Sequence, residues 1–141
     1  MGIRKLVLGV VLLGVSLSAQ ATPLPRYGLF VYSNLCWEKE SGDADGERLI
    51  LVRVPGSASA RISYTGEGPL DEASAEDVRI AKDGRISLRY LRQYDPVTDR
   101  SNVYVTMTGR VSAEAFERIG RDGNTVRMPR VRADEEIPVC R

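Results

Sequence analysis

The sequence predicts an all-β domain: a small antiparallel up-and-down barrel or sandwich of seven or eight strands with one short helix. Short segments in which apolar and polar residues alternate recur along the chain, and a half-buried strand has this period. Turns rich in glycine, proline and aspartate separate the segments at short intervals. A chain of 141 residues has room for one hydrophobic core, so we expect one domain.

The first 21 residues differ in composition from the rest of the chain. Two basic residues precede an apolar run from Leu6 to Val15, and the segment ends in Ala19-Gln20-Ala21. This order is typical of a secretory signal peptide that is cleaved before Thr22. The run of about ten apolar residues is shorter than the ~20 that a membrane anchor needs. We therefore expect a single β domain over residues 22–141, periplasmic or secreted, with no stable membrane anchor after cleavage.

Three strands are predicted in the first half of this domain. The apolar segment Tyr27–Trp37 predicts the first strand, and the polar, aspartate-rich segment Glu38–Gly46 predicts a loop. The second strand, Glu47–Val54, stops at a Pro-Gly pair. Alternation over Arg61–Thr65 predicts a third strand, which a turn at residues 66–69 ends.

A β-hairpin is the clearest local signal in the chain. Its two alternating segments, Asp77–Lys82 and Arg85–Gln93, flank the dipeptide Asp83-Gly84. Asp-Gly accepts the positive φ angles of a type I′ turn, which matches the twist of paired strands. A turn at residues 94–96 then separates the hairpin from a strand over Asn102–Val111.

One short helix is predicted after this strand. Ser112 is a suitable N-cap, Phe116 and Ile119 lie three residues apart on one helical face, and Gly120 is a suitable end. The local pattern therefore indicates a helix between Ser112 and Gly120.

Two further strands and a disulfide complete the predicted domain. Thr125–Val131 predicts a strand, and Glu136–Cys140 predicts an edge strand because Pro138 cannot donate to a central ladder. Cys36 and Cys140 are the only two cysteines, and an even pair in an exported protein normally forms a disulfide. A redox pair or a metal thiolate is the alternative, but the spacing is not Cys-x-x-Cys. A bridge from the first strand to the chain end favours closure into a barrel.

Glycines recur at set places relative to the predicted strands. The segments concerned are Gly28, Gly42–Gly46 before Leu49–Leu51, Gly84–Leu88 and Thr108–Val111. Their order resembles that of small lipocalin-like β-barrel domains of exported bacterial proteins. The resemblance implies an up-and-down barrel whose interior can hold a small ligand.

Residue patterns for catalysis or metal binding are missing. The chain has no histidine, the commonest general base and metal ligand. It has neither a Gly-x-Ser-x-Gly motif nor a glycine-rich phosphate loop. The acidic loop contains Asp-x-Asp-Gly, but alignment on Gly46 puts Ser41 and Val52 at the first and twelfth positions of a calcium loop. We therefore expect no enzymatic activity, no cofactor and no metal ion.

Charge is balanced, with 20 basic and 19 acidic residues. A nucleic acid partner is not expected, because no strong positive field would attract it. Several arginines alternate with apolar residues and predict a charged outer surface of the sheet: Arg61, Arg79, Arg89 and Arg110. Pairing with nearby acidic residues is one role for this face, and bidentate binding of anions is the alternative.

Large side chains are predicted to fill the interior of the barrel. The residues predicted to face inward are Ile50, Val52, Ile62, Tyr64, Ile86, Leu88, Tyr90, Val103, Val105 and Met107. A filled interior favours a function at the surface over a carrier function.

We expect the protein to bind another exported protein, as an inhibitor or an immunity-type protein. The candidate surfaces are the loop Glu38–Glu47 and the turn Tyr94–Asp99, which are polar and carry acidic groups for a basic cleft. The candidate binding residues are Trp37, Asp43, Asp45, Tyr94 and Asp99. Trp37 lies beside the disulfide, where it packs in the core or acts as an aromatic anchor. A small-ligand carrier that uses the barrel interior and a structural envelope protein are the alternatives.

The signal-peptide prediction can be tested by the intact mass of the protein recovered outside the cytoplasm. We expect the mass of residues 22–141 with both cysteines oxidised and no free thiol. A mass that includes residues 1–21 would contradict export by cleavage.

Overall fold

The computed structural model describes residues 22–65, 70–95, 99–120 and 122–141, with only the backbone for Tyr94 and Asp95. Ten strands and no helix occur in these residues. The strands are β1 (Gly28–Ser33), β2 (Cys36–Trp37), β3 (Ala44–Asp45), β4 (Glu47–Val54), β5 (Ser57–Tyr64), β6 (Asp71–Ile80), β7 (Arg85–Asp95), β8 (Arg100–Val111), β9 (Ala115–Ile119) and β10 (Thr125–Val131). The predicted signal peptide, the predicted turn at 66–69 and Pro96 of the predicted turn at 94–96 lie outside the described residues. The first two residues of that last turn were predicted wrongly, because Tyr94 and Asp95 continue β7 and pair with Ser101 and Arg100.

Eight of the strands form a closed antiparallel barrel in the order β1-β10-β9-β8-β7-β6-β5-β4. Strands that follow one another along the chain are neighbours in the barrel, and β1 closes the ring by pairing with both β4 and β10. The all-β prediction is confirmed, and the architecture is a barrel rather than a sandwich. The short strands β2 and β3 form a separate two-stranded sheet beside it.

The predicted hairpin is confirmed. Ala81, Lys82, Asp83 and Gly84 connect β6 to β7. The predicted type I′ turn is wrong, because Gly84 has a positive φ of 84° but Asp83 does not, and the hydrogen bond from the Gly84 N–H to the Ala81 carbonyl closes a longer connection. The carboxylate of Asp83 accepts a hydrogen bond from the Arg85 backbone N–H at 3.2 Å. This bond, together with its ion pair to Arg85, lowers the pKa of the Asp83 side chain.

The predicted first strand is divided into β1 and β2 because the chain turns at Asn34. The backbone N–H of Asn34 donates to the Glu47 carbonyl, and its side-chain oxygen accepts from the Glu47 N–H at 2.7 Å. The predicted edge strand Glu136–Cys140 is wrong, since this segment makes one parallel bridge, between Trp37 and Val139. Pro138 has no N–H to extend that bridge into a ladder.

The predicted helix is also wrong, because the segment forms β9. Ser112 Oγ does accept hydrogen bonds from the N–H groups of Glu114 and Ala115, as an N-cap would. The chain then extends and pairs with β10 at five positions and with β8 at two. A helix of so few residues is marginal by itself. Pairing in the sheet satisfies the backbone on both sides and buries Phe116 completely.

The core fills the barrel from the middle to the end at which β1 begins. Its buried residues are Phe30, Tyr32, Leu49, Leu51, Ala60, Ile62, Tyr64, Ile86, Leu88, Tyr90, Met107, Val111, Phe116 and Met128. Leu24 packs against this core, and the Thr22 carbonyl accepts a hydrogen bond from the Ala113 N–H. The N-terminal segment therefore covers this end of the barrel.

The inward-facing residues were predicted correctly on β5 and β7 but wrongly on β4. Leu49 and Leu51 are completely buried, whereas Ile50 is partly exposed and Val52 is 36% exposed. Four consecutive apolar residues contain no alternation, so the sequence does not say which pair faces inward. Pairing of Leu49 with buried Ile62 on β5 sets the orientation.

The predicted disulfide between Cys36 and Cys140 is confirmed. It joins β2 to the chain terminus across 104 residues of sequence. Two backbone hydrogen bonds support it: the Trp37 N–H donates to the Pro138 carbonyl, and the Cys140 N–H donates to the Trp37 carbonyl. The C-terminal segment is thereby held against β2.

Reduction of this disulfide should lower the melting temperature strongly. In the chain-entropy model, a disulfide that closes a loop of this length stabilises the folded protein by roughly 4–5 kcal/mol, because it restricts the unfolded chain. Loss of this stability should lower the melting temperature of a domain of this size by about 10–20 °C. Thermal unfolding followed by circular dichroism with and without reductant measures the change. A Cys36→Ser/Cys140→Ser variant should melt at the lower temperature in both conditions. An equal melting temperature for the oxidised and reduced wild type would contradict this role.

Candidate functional site

One end of the barrel, called the mouth below, is formed by the ends of β1, β5, β7 and β9 and the starts of β4, β6, β8 and β10. The antiparallel pairings place these strand ends together: Ser33 pairs with Arg48, Glu47 with Tyr64, and Tyr64 with Asp71. Since the N-terminal segment covers the opposite end, the candidate functional site lies at the mouth.

The wall of the barrel opens between β8 and β9. These strands pair at Arg110↔Glu117 and Val111↔Phe116, while β8 continues toward the mouth beside β7. Gly109 lies where the strands diverge, and a Cβ there would collide with the Phe116 ring and the Glu117 carbonyl. The glycine lets the Phe116 ring close the core directly below the opening.

A charged pair spans the lumen just inside the mouth. Glu47, at the start of β4, accepts a hydrogen bond from Arg118 of β9 at 2.6 Å. In the ring, β1 and β10 separate these strands on their shorter side. The two side chains are 21% and 17% exposed, so water screens this pair less than the ion pairs on the outer wall.

A second arginine, Arg92 of β7, lies on the other side of the lumen. Its guanidinium carbon is 4.8 Å from the centre of the Tyr64 ring, and its Nη2 donates to the Thr65 carbonyl at 3.2 Å. Tyr64 and Tyr90 stack at 5.7 Å between ring centres, with a tilt of 46°. The cation–π contact with Tyr64 and the hydrogen bond to Thr65 hold the Arg92 guanidinium against the lumen wall.

Tyr90 lies beneath this charged group. Burial raises the pKa of its phenol, the Glu47 carboxylate raises it further, and Arg92 and Arg118 oppose the increase. The phenol is therefore uncharged at physiological pH and adds no negative charge to the mouth.

A cavity of about 490 Å³ lies among these groups and reaches the opening between β8 and β9. Its charged lining residues are Glu47, Arg92, Arg118 and Asp122. The apolar lining includes Val105, Met107, Tyr90 and Val126. The Nε atoms of Arg92 and Arg118 are buried and have no hydrogen-bond partner among the described residues. Buried donors of this kind normally have a hydrogen-bond partner, so a ligand that accepts hydrogen bonds from them would be stabilised here.

The predicted binding residues near the disulfide lie on a separate projection, called the disulfide lobe below. It comprises the hairpin Cys36–Asp45 and the terminal segment Pro138–Cys140. Cys36 pairs with Asp45 and Trp37 with Ala44, and the Glu38 N–H donates to the Asp43 carbonyl at 2.7 Å. Trp37 is 38% exposed, so it does not pack in the core. Asp43 and Asp45 are both exposed.

The other predicted binding segment lies on the opposite side of the mouth. Asp99 is exposed, with a φ of 51°, in the connection from β7 to β8. The backbone of Tyr94 pairs with Ser101, and its side chain lies outside the described part of the chain. Two strands separate this connection from the disulfide lobe in either direction around the ring. The predicted residues therefore form two surfaces that flank the mouth, not one patch.

The group Glu47, Arg92 and Arg118 was not predicted as a site. Arg92 continues the alternation of Ile86, Leu88 and Tyr90, so its inward position was readable from the sequence. Arg118 was not readable, because its segment was assigned to a helix. Their proximity follows from closure of the barrel. The predicted outer arginines behave differently, since Arg89 pairs with Glu76 and Asp77 on the exposed wall.

No family model, curated protein or solved structure matches this chain. Within the described residues, no three Cys, Asp or Glu side chains are placed to hold a metal ion. The described part of the chain likewise has no helix with the length and apolar character required to cross a bilayer. Geometry alone therefore supports the functional argument.

The pair Glu47–Arg118 can be tested by unfolding in urea. Arg118→Met should destabilise the protein by about 2 kcal/mol, because it leaves the largely buried Glu47 carboxylate without its partner. The double variant Glu47→Gln/Arg118→Met should recover at least half of the loss. Arg127→Met removes the exposed pair with Glu117 and should cost under about 1 kcal/mol. Equal losses for the single and double variants would show that the two side chains are not coupled.

Proposed function

We propose that this protein is an exported, non-catalytic binding module that acts on another exported protein as an inhibitor or an immunity-type protein. The observation that carries the proposal is the disulfide lobe, a rigid and exposed acidic projection beside the mouth of a filled barrel. The disulfide is compatible with an oxidising compartment outside the cytoplasm, and the leader-like first 21 residues agree with this location.

Rigidity of the lobe favours a binding role. The disulfide, the pairing of β2 with β3 and the hydrogen bonds to Pro138 and Cys140 hold the hairpin in one conformation. Ser41 Oγ accepts a hydrogen bond from the Asp43 N–H at 3.1 Å and stabilises the tip. A projection that is already ordered loses little conformational entropy when it enters a cleft.

Charge and aromatic surface indicate the kind of partner. Four acidic side chains, Glu38, Glu40, Asp43 and Asp45, are exposed on the lobe with a single lysine, Lys39. A basic cleft would be attracted to this surface. Trp37 exposes part of a large ring at the base of the hairpin, and such residues supply much of the binding energy in protein interfaces.

A small-ligand carrier is the second candidate function. The cavity at the mouth favours it, whereas the filled core below limits any ligand to the mouth. The two functions use different residues, and they can be tested separately.

The test of the proposed function is kinetic. The wild-type protein is immobilised, an exported protein that it retains is purified, and association is followed at low salt. Asp43→Lys/Asp45→Lys should slow association about ten-fold, with a smaller effect at high salt, because exposed charges act mainly on the encounter rate. Trp37→Ala should instead accelerate dissociation.

The matched control reverses as many charges on the outer barrel wall. Glu72→Lys/Glu117→Lys replaces two exposed acids that pair with Arg61 and Arg127. This variant should associate at a rate within about two-fold of wild type. Equal association rates for both double variants, or failure of the wild type to retain any exported protein, would overturn the proposed function.

A further inference from the structure

The mouth cavity combines cationic and apolar walls in a way that the disulfide lobe does not need. Two guanidinium groups, from Arg92 and Arg118, line one part of it, and Val105, Met107 and Val126 line another. Its volume of about 490 Å³ lies in the range of small-molecule sites. The opening between β8 and β9 provides an entrance from solvent.

The cavity lining carries two positive and two negative charges. Arg92 and Arg118 contribute two positive charges, and Glu47 contributes one negative charge that Arg118 already holds. Asp122 contributes the second negative charge at the rim, where its carboxylate accepts hydrogen bonds from the backbone and side-chain N–H groups of Asn124 at 3.0 and 2.7 Å. Glu47 would repel a doubly charged phosphate more strongly than a carboxylate, which carries one charge.

Unused donors point to the same ligand group. The Nε–H of each arginine is buried and has no partner among the described residues. A carboxylate bonds the Nε and Nη edge of a guanidinium with two parallel hydrogen bonds. A carboxylate in the cavity reaches this edge only after the side chain rotates, because less than 1 Å² of either Nε atom is exposed.

The outer groove of the barrel is a poorer anion site. It is larger, about 820 Å³, and includes Arg79, Arg85 and Arg110. Arg85 is already paired with Asp83 at 2.7 Å, and its side chain is 72% exposed. Water competes for anions at such exposed arginines.

We propose that the mouth cavity binds a small organic carboxylate, with its carboxylate on Arg92 and Arg118 and its apolar body against Val105, Met107 and Val126. This site is independent of the disulfide lobe and of any protein partner. It assigns a ligand class to residues that have no other role in binding.

Octanoate, below its micellar range, is the probe. Calorimetric titration of the disulfide-bonded wild type should show one saturable site, and methyl resonances of Val105, Met107 and Val126 should shift. Octan-1-ol, which lacks the charge, should bind at least about ten-fold more weakly, since one charged hydrogen-bonded contact is lost. Inorganic phosphate should not displace octanoate.

Variants separate a binding role from a structural one. Arg92→Met should weaken octanoate binding at least about ten-fold, and the exposed control Arg127→Met should stay within about two-fold of wild type. Glu47→Gln should tighten binding several-fold, because it removes the negative charge beside the ligand and releases Arg118. A residue that only maintained the fold would not improve binding when replaced. A cooperative melting transition above the titration temperature checks that each variant is folded.

Four results would overturn the proposal, and the first three concern affinity. The first is octan-1-ol binding as tightly as octanoate. The second is phosphate binding without octanoate binding. The third is Arg92→Met or Glu47→Gln with wild-type affinity in a folded protein. Methyl shifts confined to residues outside the cavity would overturn it as well.

Discussion

Closure of the sheet at β1 is the constraint on which the rest of the structure depends. An eight-stranded sheet that remained open would expose two unpaired edges, and full closure removes both. β1 pairs with β4 along its whole length and with β10 at Val31 and Tyr32. Because Phe30 and Tyr32 face the lumen, pairing with β1 fixes which alternate residues of the neighbouring strands face inward. The Tyr32 hydroxyl also donates to the Ser112 carbonyl at 2.7 Å and joins β1 to the β8–β9 turn.

Closure also explains why the disulfide lobe and the mouth cavity, the two proposed binding sites, lie at one end of the barrel. At the far end, Leu24 of the N-terminal segment packs against the core and covers it. At the mouth, the long connection from β1 to β4 leaves the barrel and forms the disulfide lobe. The lumen there is lined by charged side chains, because strand ends near solvent tolerate Glu47, Arg92 and Arg118 while the middle of the barrel does not.

The lobe and the cavity have different physical bases for binding. The lobe is convex, acidic and fixed by a covalent link, properties that suit insertion into a cleft of another macromolecule. The cavity is concave, with two guanidinium groups beside an apolar wall, properties that suit a small carboxylate with an apolar body. Tyr90 separates this cavity from the apolar core, and burial raises the pKa of its phenol further above physiological pH.

The sequence alone determined the fold class, the number of strands within one or two, the Asp-Gly hairpin and the pairing of Cys36 with Cys140. These features depend on local alternation, turn chemistry and the presence of only two cysteines. All three can be read from the sequence without knowing which strands are neighbours. Tertiary structure decided the rest. The inward face of β4, the strand at Ala115–Ile119 and the meeting of Glu47 with Arg118 each depend on a neighbouring strand that is distant in sequence. At Ala115–Ile119, the energy of pairing with neighbouring strands exceeds the weak local preference for helix. On β4, the run of apolar residues has no alternation, so pairing with the neighbouring strand decides which residues face inward.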